Sequence, residues 1–196
     1  MLRVVLAVCV IYGLWNWWSE RPVPHGPGVL APDDPIQTQL SDSEVFSYKD
    51  YQVQPLADFK VQARVLGTEY YYAGREADLS PMDLALGWGS MSDSSVLDLV
   101  DISQRNRFYY WRVQQFPIPR EQIETSSANM HMIPSSPEIK DLLSSLRVGQ
   151  VVTLKGRLVE VSGQGGWQWK SSLSRDDTGK GACELLWVES VAVRLD

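Results

Sequence analysis

The sequence predicts a mainly β domain with one packed α-helix, a small OB-like Greek-key barrel, set behind an N-terminal membrane helix. Three observations carry that expectation. A strictly alternating strand begins the folded part, a single capped amphipathic helix sits late in it, and a long strand interrupted by glycine follows that helix directly. A general α+β sheet with a helix on one face is the alternative for the same order of elements.

Residues Leu2 to Trp18 (LRVVLAVCVIYGLWNWW) hold a single charge, Arg3. As a helix the run covers roughly 25 Å, marginal against a hydrocarbon core of about 30 Å. Trp15, Trp17 and Trp18 crowd one end, where indole rings favour the headgroup layer, and Arg3 marks the other end as cytoplasmic. The Trp-rich end offers no small-residue cleavage site, and Val8 is too bulky before Cys9 for a lipoprotein signal. The expectation is therefore an uncleaved signal anchor over 1–19, with the membrane as its partner and the C-terminal domain outside the cytoplasm.

Glu20 to Pro35 is dense in Pro and Gly and reads as an extended spacer with His25 solvated in it. Ile36 to Pro55 is a polar lead-in, so that 20–56 precede a globular domain over 57–196. Phe59 to Val65 (FKVQARV) alternates apolar and polar residues as a half-buried strand does. Ser80, Pro81 and Asp83 form a helix-start signature, and Ser92 to Val100 holds room for a second short helix capped by Ser92 or Asp93. Arg107 to Val113 has strong β-propensity.

Ser136-Pro137-Glu138 opens the best helix, with Ile139, Leu142, Leu143 and Leu146 at core spacing and Gly149 as its stop. Val151 to Val161 then reads as a strand with a bulge or bend at Gly156. A Gly-rich hairpin turn, Ser162 to Gly166, leads into Trp167–Lys170, and a closing strand runs around Cys183 to Val193.

Composition narrows function only by exclusion. A net charge of −6 leaves no basic footprint for a nucleic-acid backbone. Cys9 and Cys183 are separated by the expected bilayer, which argues against a disulfide. Asp177-Thr178-Gly179 matches an aspartic-protease tripeptide, but it lies in a charged turn with no second copy, and Gly179-Lys180-Gly181 lacks the spacing of a phosphate loop. One His and one Cys are too few for a zinc site, so neither metal nor cofactor is expected.

His131 with Cys183 forms the one candidate catalytic pair, base and nucleophile, with Asn129 or Asp177 to orient the imidazole. The structural alternative is a core cysteine on a strand with Leu185 and Trp187, and a hydrogen-bonded structural histidine. Aromatic side chains supply the candidate binding face, with Trp167 and Trp169 beside the Gly-rich hairpin as its contact residues.

The stretches Ser80 to Asp93 (SPMDLALGWGSMSD), Ser126 to Pro134 (SSANMHMIP) and Ser174 to Glu184 (SRDDTGKGACE) resemble those of a group of uncharacterised bacterial membrane-anchored proteins. The likeness runs from about Phe59 to the C-terminus and implies a bacterial envelope location. With the anchor, it gives a single-pass inner-membrane protein whose domain faces the periplasm. The expected function is an interaction module with an envelope protein partner, and the alternative is a Cys–His hydrolase or transferase.

Overall fold

The computed structural model describes residues 21–174 and 183–194, together with Leu6, Cys9 and Gly13. The remainder of the expected anchor, and Asp177 with its tripeptide, lie outside the described residues. Among the described residues no helix is long and apolar enough to cross a membrane.

The fold is β-rich, as expected. Five strands make its centre: β3 (Tyr51–Tyr70), β4 (Met82–Gly87), β7 (Ser127–Pro134), β8 (Val151–Ser162) and β10 (Glu184–Val193). β3, β4 and β7 pair antiparallel in turn, β10 runs parallel to β7, and β8 lies antiparallel between β10 and β3. That last pairing returns the ladder to its first strand, so the sheet closes on itself and keeps no edge at its centre. Three short strands sit outside the ring. β1 (Ile36–Gln39) and β2 (Phe46–Tyr48) pair with β3, and β9 (Gln168–Lys170) pairs with β8.

Alternation decides what fills the ring. Phe59, Val61, Ala63 and Val65 of β3 share one core with Met82, Leu84 and Leu86 of β4 and with Leu154 and Leu158 of β8. Helix α4 (Pro137–Ser144) adds Leu143 and, just beyond its end, Leu146. Its start is the expected one, with Ser136 Oγ accepting from the Ile139 amide. Leu142 is 44% exposed, so this member of the expected apolar stripe faces away from the core. Gly156 has no room for a Cβ against the Trp187 carbonyl, and the β10 register slips opposite it between Val188 and Ser190. The expected irregularity is therefore a close crossing of two backbones.

Two sequence expectations are overturned. The helix predicted from Ser80 is strand β4; helix α1 (Arg75–Leu79) ends there instead. Ser80 Oγ bonds to the Met82 carbonyl rather than capping a following turn. A local cap signal loses to an alternating segment that has a partner strand on both sides. The stretch read as a spacer lies against the closed sheet. Val23 donates to the Val148 carbonyl at 2.8 Å, and the Leu30 and Ala31 amides both reach Ser92 Oγ at 3.0 Å. His25 Nε2 sits 2.9 Å from the Gly149 carbonyl, so it is engaged rather than solvated. Gly149 has φ +93°, and a side chain there would strike the Val23 backbone.

Between β4 and β7 the chain makes a long excursion. It contains the short helix α2 (Ser94–Leu97), the two-stranded ribbon β5 (Asp101–Arg105) and β6 (Phe108–Arg112), and helix α3 (Arg120–Thr125). Ile102, Tyr109 and Trp111 pack with Leu66, Ala85 and Ile123 in a second apolar layer outside the ring. A third layer, on the outer side of β8 and β10, gathers Val159, Val161, Leu185 and Trp187 with Trp167 and Trp169.

Candidate functional site

The outward positions of β4 and β7 hold a buried polar cluster. Asp83 stands directly across the ladder from His131, and Ala85 across from Asn129. Asp83 is fully buried, an expensive place for a carboxylate unless partners surround it. Three do. Arg107 Nη1 donates to its Oδ1 at 2.7 Å and Asn129 Nδ2 to its Oδ2 at 3.2 Å. His131 Nδ1 lies 2.9 Å from Oδ1, close in distance but without the alignment of a good hydrogen bond.

Arg107 comes from the tip of the β5–β6 ribbon. Arg105 pairs with Phe108, leaving Asn106 and Arg107 as a two-residue loop with φ of 54° and 69°. That is the tight hairpin turn that suits Asn followed by Gly, and a non-glycine residue in its second place carries about 1–2 kcal/mol of strain. The surroundings hold it there. Its guanidinium also donates to the Ser80 carbonyl at 2.8 Å, and its own amide donates to Tyr71 Oη at 2.9 Å. The Arg107 carbonyl accepts from Asn129 at 3.2 Å.

Aromatic rings cover the charge. The guanidinium lies 3.6 Å from the Tyr71 ring centre and 5.5 Å from that of Trp169. Trp169 in turn stacks at a tilt on His131, with centroids 4.9 Å apart, and meets Trp167 edge-on at 6.2 Å. Arg75 of α1 ends the series over Trp167 at 5.4 Å. Burial, and then the Asp83 carboxylate nearby, push the Tyr71 hydroxyl up to about 12.

The structure thus gathers most of the residues singled out in the sequence. His131 and Asn129 both meet Asp83. Cys183 precedes β10 and its Sγ lies 3.8 Å from the Arg107 carbonyl, so it borders the same cluster. Trp169, on β9, and Trp167, just before that strand, are both half-buried on the outer apolar layer rather than in the ring. Among the described residues no group of three or more His, Cys, Asp or Glu is placed to hold a metal ion.

Asp83, Arg107 and Tyr71 were not visible as site residues in the sequence. A signal existed for Asp83: a lone carboxylate at an alternate position of an apolar run, MDLALG, demands a cationic partner once the run is read as a strand. No family model, curated protein or solved structure matches this chain.

Proposed function

We propose that the chain is a membrane-anchored, extracytoplasmic interaction module of the bacterial cell envelope, its folded part a Greek-key barrel of the OB type. The strand order supports the barrel type: a three-stranded meander, a helix, and two further strands, with the third strand parallel to the last. Barrels of that type take ligands on the second and third strands and on the loops that join strands one to two and four to five. In this chain the β5–β6 ribbon covers the outer face of β4 and β7, latched by Arg107 onto Asp83. Contact then falls to the two loops, which carry Tyr71 and Arg75 on one side and Trp167 and Trp169 on the other.

The observation that carries this reading is the continuous stack Tyr71–Arg107–Trp169–Trp167–Arg75, built from both loops and the ribbon tip and ending near the surface. Rigid aromatic and arginine side chains dominate interface energetics because they bury much area at small entropic cost. The test places a photocrosslinking amino acid at Gln168 in the full-length chain in native membranes. A discrete protein adduct is expected, lost on Trp167→Ala while the variant keeps its melting behaviour. No discrete adduct, or one indifferent to Trp167, ends the reading.

A second reading has one specific observation behind it. A carboxylate lies 2.9 Å from His131 Nδ1, the spacing though not the alignment of the acid–base pair in a nucleophile–base–acid set, and Cys183 borders it. In a Cys–His hydrolase or transferase, alkylation of Cys183 would be fast near neutral pH and slowed by His131→Gln. Equal rates in the two proteins remove this alternative.

A further inference from the structure

The lead-in is stapled to one end of the closed sheet. Val23 donates to the Val148 carbonyl at 2.8 Å, His25 Nε2 lies 2.9 Å from the Gly149 carbonyl, and Ser94 Oγ donates to the His25 carbonyl at 3.0 Å. Gly149 in turn donates to the Val65 carbonyl, beside the ladder pair Arg64–Val151. From that pair the β3–β8 ladder runs to its other end at Gln52–Ser162. There the Gly163 amide donates to the Trp167 carbonyl, and Arg75 donates to the Gln164 carbonyl. β8 has twelve residues, so at about 3.3 Å each, less its twist, roughly 30 Å separate the stapled end from Trp167.

Chain length then restricts which end can face a membrane. Only Ser19 and Glu20 stand in the sequence between Trp18, the last indole of the expected anchor, and Arg21. The five steps from Trp18 to Val23 reach at most about 18 Å. With Trp18 at the headgroup layer, an inverted domain would drive the Trp167 end, about 30 Å from Val23, into the bilayer.

Exposure separates the two ends further. Val29 lies in the stapled lead-in, Leu99 follows α2, whose Ser94 holds His25, and Leu142 stands in the last turn of α4, ahead of Val148. All three are exposed aliphatic side chains, of the kind that gains by entering the boundary between headgroups and acyl chains. The opposite tip, Gly163 to Gly166, carries Gln164 and three glycines and has no such side chain.

We propose that the stapled end of the domain rests on the surface of the anchoring bilayer, and that Trp167 and Arg75 are held at the far end, facing away from it. The partner segment they meet then belongs to a folded extracytoplasmic domain, not to a membrane-embedded helix. The inference rests on the anchored-module reading and adds to it the orientation and the class of partner.

The test reconstitutes the full-length chain in liposomes whose lipids carry a headgroup nitroxide. A fluorescent amino acid replaces Leu99, Leu142 or Gln164, all at exposed positions. Quenching at the two leucine positions is expected to exceed that at Gln164 severalfold. Equal quenching at all three positions, stronger quenching at Gln164, or none at any position overturns the proposal. The Gln168 adduct supplies a second arm. Digestion and mass spectrometry should place the crosslink in a partner segment outside its apolar helices, and a crosslink inside one would overturn the partner class. If alkaline carbonate releases the chain from native membranes, the anchor itself fails and the inference falls with it. If the chain stays in the membrane and the quenching pattern fails, the orientation falls and the anchored-module reading stands.

Discussion

The two faces of strand β4 set two kinds of packing side by side. Met82, Leu84 and Leu86 point into the ring and meet only apolar neighbours, where volume and shape are what count. Asp83, one residue along, points outward and meets Arg107, Asn129 and His131 at fixed distances. The inner face tolerates exchange among similar hydrophobes. The outer face works only as a set, because a buried carboxylate that loses one cation is left with its desolvation uncompensated. The ribbon β5–β6 is therefore fastened by chemistry rather than by area alone.

The largest expected effect breaks the outer face. Arg107→Ala should cost about 3–5 kcal/mol, since it strips Asp83 of its cation at a buried site. Urea denaturation reads the loss. An Asp83→Leu, Arg107→Met double variant should recover most of it, which would show that the pair fastens the ribbon without adding net stability. If the single variant melts like the parent, the outer face is not the coupled set described here.

On the inner side, Leu143→Ala should cost about 2–5 kcal/mol by leaving a cavity, whereas Leu142→Ala, one residue away and exposed, should stay within about 0.5 kcal/mol. Parallel thermal melts compare the two, and similar losses would place the helix differently. A smaller step tests the helix end: Ser136→Ala should cost about 1 kcal/mol through the lost cap to the Ile139 amide.

The smallest effect concerns the lead-in. Hydrogen bonds from the Gly28 amide, then from Ser95, hold the Asp93 carboxyl below its ordinary range. A depressed carboxylate stabilises fully above its ordinary value, near about pH 4, and the contribution fades as pH falls through the lower folded value. Hydrogen exchange at the Gly28 amide should therefore gain protection from low pH up to about pH 5 and then level off, once corrected for intrinsic rates. Asp93→Asn should flatten that dependence; an unchanged profile would mean that another group tethers the segment.

The elements that were legible share one property: their signal is local. The alternation of Phe59 to Val65, the cap at Ser136, the Gly-rich turn before Trp167 and the stretch at Ser92 to Val100 each survive in the structure. Where a local signal misled, a partner distant in sequence decided. Ser80-Pro81 reads as a helix start, yet β3 and β7 claim the residues that follow. Of the site, His131, Asn129, Cys183 and the two tryptophans stood out by residue type. Arg107 did not, because Asn-Arg lacks the glycine that announces a tight hairpin, and the strain at its φ is repaid by contacts with β4, β7 and Tyr71.

Periodicity, caps and turn residues determined the strands at Phe59 to Val65 and Val151 to Val161 and the packed helix after Ser136, because those preferences depend on neighbours within a few positions. The closure of β3 on β8 and the parallel pairing of β7 with β10 were settled only by tertiary structure. So was the meeting of Asp83 with Arg107, twenty-four positions apart. Side chains of distant strands come to share one face only when the ring closes. A buried carboxylate then selects, among all the cations of the chain, the one that the fold delivers to it.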